Sequence, residues 1–222
     1  MALDLDGYLE RIGYEGPVEP TLEVLDALQL AHATTIPFEN LDILLGRRIR
    51  LDLPSLQGKL VRDRRGGYCF EHNTLFAAAL EAVGFGGGSI LGSLPIEPGP
   101  EVDQFGWRFR LVDDDDARVV QTRRPGGWVD LYSFTFEPQY PVDDEMANHF
   151  ASTHPSSPFT RTLTAQLCAP ERSLILRGRK LIEETPTGET ASQVRDDELL
   201  DVLAERFTLS FPSGTRFDAP TL

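Results

Sequence analysis

The chain has 222 residues and a formal net charge of −14, from 21 Lys and Arg against 35 Asp and Glu. So acidic a surface repels phosphate backbones and anionic lipid, which excludes a general nucleic-acid or membrane-surface binder. Two cysteines 99 positions apart make no disulfide scaffold, and no apolar run reaches the ~18 residues of a membrane span.

The first eleven residues carry three acids before the first basic side chain, unlike a secretory or transit peptide, so a cytoplasmic location is expected. At about 150 residues per domain, the length suits one large domain or two to three small lobes. Leu5, Tyr8, Leu9 and Ile12 share a helix face that Gly13 stops. Val24, Leu25, Leu28, Ala31 and His32 form a second stripe, entered through Pro20-Thr21 and closed before Pro37. Pro54 can open a third short helix bearing Leu56, Leu60 and Val61. A fourth follows Cys69, with Phe76, Ala79, Leu80 and Val83 in register and Gly84 as its stop. From Phe85 to Pro100 five Gly and three Pro predict a loop.

Beyond the loop the period becomes two. Phe105, Trp107, Phe109 and Leu111 alternate strictly, and Trp128, Leu131, Phe134 and Phe136 less so. These strands should be covered on one face. Asp113 to Asp116 and Pro125-Gly126-Gly127 are turn signals between them. The acidic run reads as a solvated hairpin tip, because four successive side chains cannot readily converge on one ion; no metal is expected. Leu163 to Cys168 and Ser173 to Leu176 read as further strands, and Asp196 as the cap of a last helix carrying Leu199, Leu200, Leu203 and Phe207. Helices followed by strands predict an α+β class rather than alternating βαβ units.

The chemistry concentrates at Cys69, in Arg64-Arg65-Gly66-Gly67-Tyr68-Cys69-Phe70-Glu71-His72-Asn73. Two glycines permit a tight turn and close approach of a ligand to the backbone. The thiol then lies at a helix start, where free N–H groups and the dipole favour negative charge, and Arg64 and Arg65 add positive potential. A lowered thiol pKa and a nucleophilic role are expected. Cys168, in an apolar strand, reads as a buried structural cysteine. Between Leu44 and Gly66 seven basic residues face two acids, a local net of +5 that can hold an anion, stabilise a thiolate or simply pair with nearby carboxylates.

Arg65-Gly66-Gly67-Tyr68-Cys69-Phe70-Glu71-His72-Asn73 resembles the nucleophile motif of the arylamine N-acetyltransferases. Ile36-Pro37-Phe38-Glu39-Asn40-Leu41 resembles that family's other N-terminal signature. Asp130-Leu131-Tyr132 with Phe136-Glu137-Pro138, then Glu145-Met146-Ala147-Asn148 and Ser152-Thr153-His154-Pro155, resemble its mid-chain segments. The resemblance implies an N-terminal helical bundle with the nucleophile (1–85), a shortened antiparallel β-barrel region (86–160) and a C-terminal α/β lid (161–222). It also implies ping-pong transfer from acetyl-CoA, as co-substrate, to a small aromatic amine or hydrazine, with Cys69 carrying the acetyl group. Phe38 matches a position lining the acceptor pocket, although plain core is an equal reading. Glu39, Asn40 and Glu71 are expected as buried hydrogen-bonding partners.

The family's triad also needs a His on a barrel strand and an Asp on the next. The four histidines here are His32, His72, His149 and His154, with none between His72 and His149. In the family's register Ala82 falls at the Asp position. The resemblance therefore implies an internal loss joined near Gly84-Phe85, removing the triad His, the triad Asp and about three strands. His72 can share a helix face with Cys69, but no acid is evident to orient it. His149 and His154 need not be catalytic. A sheet left open in this way would offer an edge for a second copy. The alternatives are an amide synthase of polyketide assembly using the same cysteine, or a non-catalytic fold that binds an acyl-CoA or a partner protein.

Overall fold

The computed structural model describes residues 2–85, 98–124, 126–137 and 140–217. Most of the expected 85–100 loop therefore lies outside the described residues. Helix α1 (Leu5–Ile12) starts where the Asp4 carboxylate accepts from the Gly7 N–H at 3.1 Å. Helix α2 (Leu22–Thr35) starts on Thr21, whose hydroxyl accepts from the Val24 N–H. The third expected helix opens as α4 (Leu53–Leu56), with Pro54 in its first turn, and runs on as a π-helical stretch, Gln57–Arg62. The wider turn leaves the Leu60 carbonyl accepting from Arg11 Nε at 2.9 Å, so a buried guanidinium ties α1 to this stretch. Helix α5 (Cys69–Val83) begins on Cys69 and ends at Gly84, in the left-handed region at φ 102°. Tyr8, Leu28, Leu56, Leu60, Leu75 and Ala79 close the core among these helices.

Two antiparallel sheets follow. One is a meander of β2 (Val102–Gln104), β3 (Trp107–Asp114), β4 (Ala117–Arg124) and β5 (Gly127–Phe134). The other runs β1-β6-β7-β8-β9, where β1 (Phe38–Glu39) pairs with β6 (Thr164–Ala169), followed by β7 (Arg172–Arg177), β8 (Lys180–Thr185) and β9 (Gly188–Gln193). Ala165, Leu174 and Leu176 pack against Leu199, Leu203 and Phe207 of the last helix, α8 (Leu199–Phe207). Short α3 (Leu41–Leu44) follows β1, and α6 (Pro141–Thr153) and α7 (Pro158–Arg161) link the two sheets.

The expected barrel is not closed among the described residues: the four-stranded sheet is open, with β2 and β5 as its edges. Of the strand residues expected to be covered, Leu111 is buried and Trp107, Phe109, Trp128 and Phe134 are half-buried, but three are bare. Phe105 lies in the β2–β3 turn at φ 56° and is 59% exposed, and Leu131 and Phe136 are 47% and 62% exposed. Eight of the twelve exposed large hydrophobics among the described residues fall between Val129 and Phe150. Asp113 to Asp116 does form a hairpin tip, with Arg118 paired to Asp113. Asp196 does not cap α8; it pairs with Arg179 at 2.7 Å, and Glu198 takes the cap position without a side-chain bond.

Burial separates the two halves of this fold energetically. Leu176→Ala, at a fully buried position, should cost about 2–5 kcal/mol in urea unfolding. Leu131→Ala, on the open sheet, should change stability by less than about 0.5 kcal/mol.

Candidate active site

Cys69 is the first residue of α5, and the loop before it is locked to β1. The Gly67 N–H donates to the Pro37 carbonyl at 3.2 Å, and the Glu39 N–H donates to the Gly67 carbonyl at 2.7 Å. A Cβ on Gly66 would come within 2.2 Å of the Pro37 carbonyl oxygen, so only glycine permits this approach. The two N-terminal motifs are thus one structural unit. At the helix start the Glu71 carboxylate accepts from the Tyr68 N–H at 3.1 Å. The Tyr68 hydroxyl reaches Asn148 of α6, whose amide also donates to the Ile49 carbonyl.

Beneath the loop lies a buried ion cluster. Lys59 pairs with Glu71 at 2.8 Å and Asp42 at 2.9 Å, and Arg65 with Glu39 at 2.8 Å and Asp42 at 3.2 Å. Glu39 also accepts from the Leu41 N–H, and Asn40 bonds Thr164, Phe159 and Thr162 across the β1–β6 junction. Glu39, Asn40 and Glu71 are the buried polar partners expected of them. Burial alone would raise the Asp42 carboxyl, but Lys59 and Arg65 outweigh it and hold the group below its ordinary value. Burial wins at Glu71, pushing it up to about 7 against the pull of Lys59.

The thiolate support expected from the arginines is absent. Arg65 is committed to Glu39 and Asp42, and Arg64 is exposed. Burial pushes the Cys69 thiol above its ordinary value, and the N–H groups of Phe70 and Cys69 itself offset only part of this. Cys69 is half-buried beside Ile43, Ile49 and Tyr68. Cys168 is not a buried structural cysteine. It is exposed on β6, 3.7 Å from the Ser173 hydroxyl. It borders a groove of about 860 Å³ between the two sheets, with Trp107, Phe109, Gln166 and Ile175. Alternation along β6 explains the difference: Ala165 and Leu167 face α8, whereas Gln166 and Cys168 face the groove.

None of the four histidines is hydrogen-bonded to Cys69. His72 is taken at both nitrogens: Nε2 lies 3.1 Å from the Pro37 carbonyl and Nδ1 2.8 Å from His32 Nε2. His32 Nδ1 lies 2.9 Å from the Tyr8 hydroxyl. His149 and His154 are exposed, and His154 turns onto Ser156. Sequence patterning missed the orienting partner of His72, because it comes from α2, 40 residues away. Phe38 is half-buried, its ring stacked on His72 at 6.3 Å and tilted against Phe159. It pairs across the ladder with Gln166 of the groove. Among the described residues no group of three or more His, Cys, Asp or Glu could hold a metal ion, and no helix is long and apolar enough to cross a membrane.

A helix-borne cysteine behind a paired-glycine turn locked to β1 is the arrangement of a candidate nucleophile, and similar proteins give its class. An N-acetyltransferase family model matches residues 21–93 and again 81–215, the two matches overlapping over 81–93. The arylamine N-acetyltransferase of Mycobacterium tuberculosis is 35% identical, covering 95% of this chain and 90% of its own. That alignment runs over 256 positions against a chain of 222, so it contains several dozen positions where this chain has no residue. The structure of the Nocardia farcinica arylamine N-acetyltransferase superposes with a TM-score of 0.87 at 38% identity, covering 95% of this chain and 90% of that one. The Mycobacterium marinum enzyme solved in complex with CoA superposes with a TM-score of 0.85 at 30% identity, covering 93% of each chain. The chain belongs to the arylamine N-acetyltransferases, a family of acyltransferases.

The exposures reverse the expected order of thiol reactivity. With iodoacetamide at pH ~7, peptide mass spectrometry of the folded protein should show Cys168 alkylated faster than Cys69, since Cys69 is half-buried and its thiolate disfavoured.

Proposed function

We propose that Cys69 takes an acetyl group from acetyl-CoA and passes it, slowly, to a small aromatic amine or hydrazine. The observation that carries this reading is the position of Cys69 at the start of α5, behind a turn that only glycine can make. Family membership and the CoA held by the M. marinum relative support it. In the first step the Cys69 sulfur attacks the thioester carbonyl, the carbonyl–sulfur bond of CoA breaks, and CoA leaves as a thiol with the Cys69 proton. In the second step the amine nitrogen attacks acetyl-Cys69, the new thioester breaks to an amide, and the amine proton returns to Cys69. Phe38, which packs in the same apolar cluster as Cys69 and stacks on His72, is the side chain proposed to contact the amine.

Both steps need a base, and among the described residues no histidine or carboxylate is hydrogen-bonded to Cys69. The absence of any His between His72 and His149, and the commitment of both His72 nitrogens, support the reading that the triad His and Asp have been lost. The double match of the family model over 81–93 supports a join there between two similar Gly-Phe strings. General base support is typically worth 10²–10⁴-fold. Association of two copies along the open β5 edge belongs to the same proposal. A monomer at every concentration in light scattering would remove that part of it.

Intact mass after mixing with acetyl-CoA should show one added acetyl group, absent in Cys69→Ala. Turnover with a small aniline should stay at least about a hundredfold below ~10 s⁻¹, an ordinary enzyme's rate. No acetyl adduct on the wild-type protein would overturn the reading. A normal turnover rate would overturn the loss of the base.

A further inference from the structure

The hydrogen bonds through His32 and His72 can run in one direction only. The Pro37 carbonyl is purely an acceptor, so His72 Nε2 must carry the proton that faces it. A neutral His72 then has a bare Nδ1, which accepts from His32 Nε2–H, and His32 Nδ1 in turn accepts from the Tyr8 hydroxyl. Three hydrogen bonds thus point from α1 through α2 and α5 to one carbonyl. That carbonyl also accepts from the Gly67 N–H, so both its lone pairs are used where β1 meets the loop before Cys69.

We propose that His72, its tautomer fixed by His32 and Tyr8, is a positioning residue whose neutral ring holds the Pro37–Phe38 strand against the Gly66–Gly67 turn that presents Cys69. The proposal takes Cys69 as the acyl acceptor from the reading above. The neutral rings are essential to the geometry. An added proton sets a donor against a donor between the rings, unless His32 changes tautomer and the Tyr8 hydroxyl loses its acceptor. The surroundings oppose that charge. Arg11 of α1 acts on His32, and Lys59 of the π-helical stretch on His72. Glu39 of β1 is the carboxylate that favours a charged His72, and it is already held by Arg65 and the Leu41 N–H. Phe38 and Phe76 fill the remaining sides with rings. Burial, the largest cause for both, lowers each imidazole below its ordinary value, His32 further. Unfolded imidazoles titrate near ~6.5. As pH falls below that value the open form takes up protons first, so the closed arrangement is favoured above it and is lost on the acid side.

The test is amide hydrogen exchange at Gly67 and Glu39 in the full chain at pH 7 and pH 5, corrected for intrinsic exchange rates. Wild-type protection should fall at least tenfold at pH 5. His72→Gln keeps a non-titrating N–H for the Pro37 carbonyl while His32 still titrates, so its protection should fall by a smaller factor than that of wild type. His72→Leu should be poorly protected at both pH values. Wild-type protection unchanged between the two, or His72→Leu protected like wild type at pH 7, would overturn the proposal. If His72→Leu does not fold, the other two proteins decide it, and equal responses to pH would overturn it. Cys69 acetylation is read on the same samples. A wild-type protein that takes up no acetyl group yet shows the pH-dependent protection refutes the acyl-transfer reading and supports the positioning role.

Discussion

Lys59 and Arg65 sit among Glu39, Asp42 and Glu71 at 2.8–3.2 Å, beneath the turn that leads into α5. Each of these groups costs several kcal/mol to take out of water, so the cluster is a weak source of net stability. It contributes specificity. The five side chains come from β1, α3, the π-helical stretch, the loop before α5 and α5 itself, and removing Lys59 or Arg65 leaves Glu71 or Glu39 as a buried carboxylate without its cation. Two cations serve three carboxylates, with Arg47 reaching Asp42 from a more exposed position. The cost of burial shows at Glu71, whose carboxyl is pushed up to about 7 in spite of Lys59. Three of the seven basic residues between Leu44 and Gly66, namely Arg47, Lys59 and Arg65, are thus spent on this cluster, while Arg48, Arg50, Arg62 and Arg64 are exposed.

The helices were legible because their signals are local. Gly13, Thr21, Pro54 and Gly84 each act within one turn of their own position, and the structure places α1, α2, α4 and α5 accordingly. The π-helical continuation of α4 was not legible, since it is set by where Lys59 and Leu60 meet Asp42, Glu71 and Arg11. Strands β8 and β9 escaped for a related reason. Half-exposed Lys180–Thr185 and exposed Gly188–Gln193 owe their state to ladder pairing, β8 with β7 and β9 with β8, rather than to a hydrophobic pattern.

At the site, the turn and the buried acids followed from residue type, whereas the state of each thiol did not. A cysteine at a helix start beside two arginines has the composition of an activated thiol. Activation depends on whether those guanidiniums are free, and Arg65 is spent on carboxylates 23 and 26 residues away. Likewise the sequence around Cys168 is apolar, but which face of β6 it occupies is fixed by Ala165 and Leu167 packing on α8. The partner of His72 was similarly hidden, because a histidine on α2 carries no sign of what its ring will meet.

The bare apolar side chains of β5 and α6 give the chain's acidity a second task. Patches of this kind attract one another at short range, while a net charge of −14 keeps whole molecules apart at longer range. The balance depends on ionic strength, because the screening length shrinks to about 8 Å at physiological salt. It also fails near the isoelectric point of about 4.7, where the repulsion vanishes and the uncovered surface remains. In colloidal terms this is a charge-stabilised particle with a sticky face, and dilute neutral buffer is its most dispersed condition.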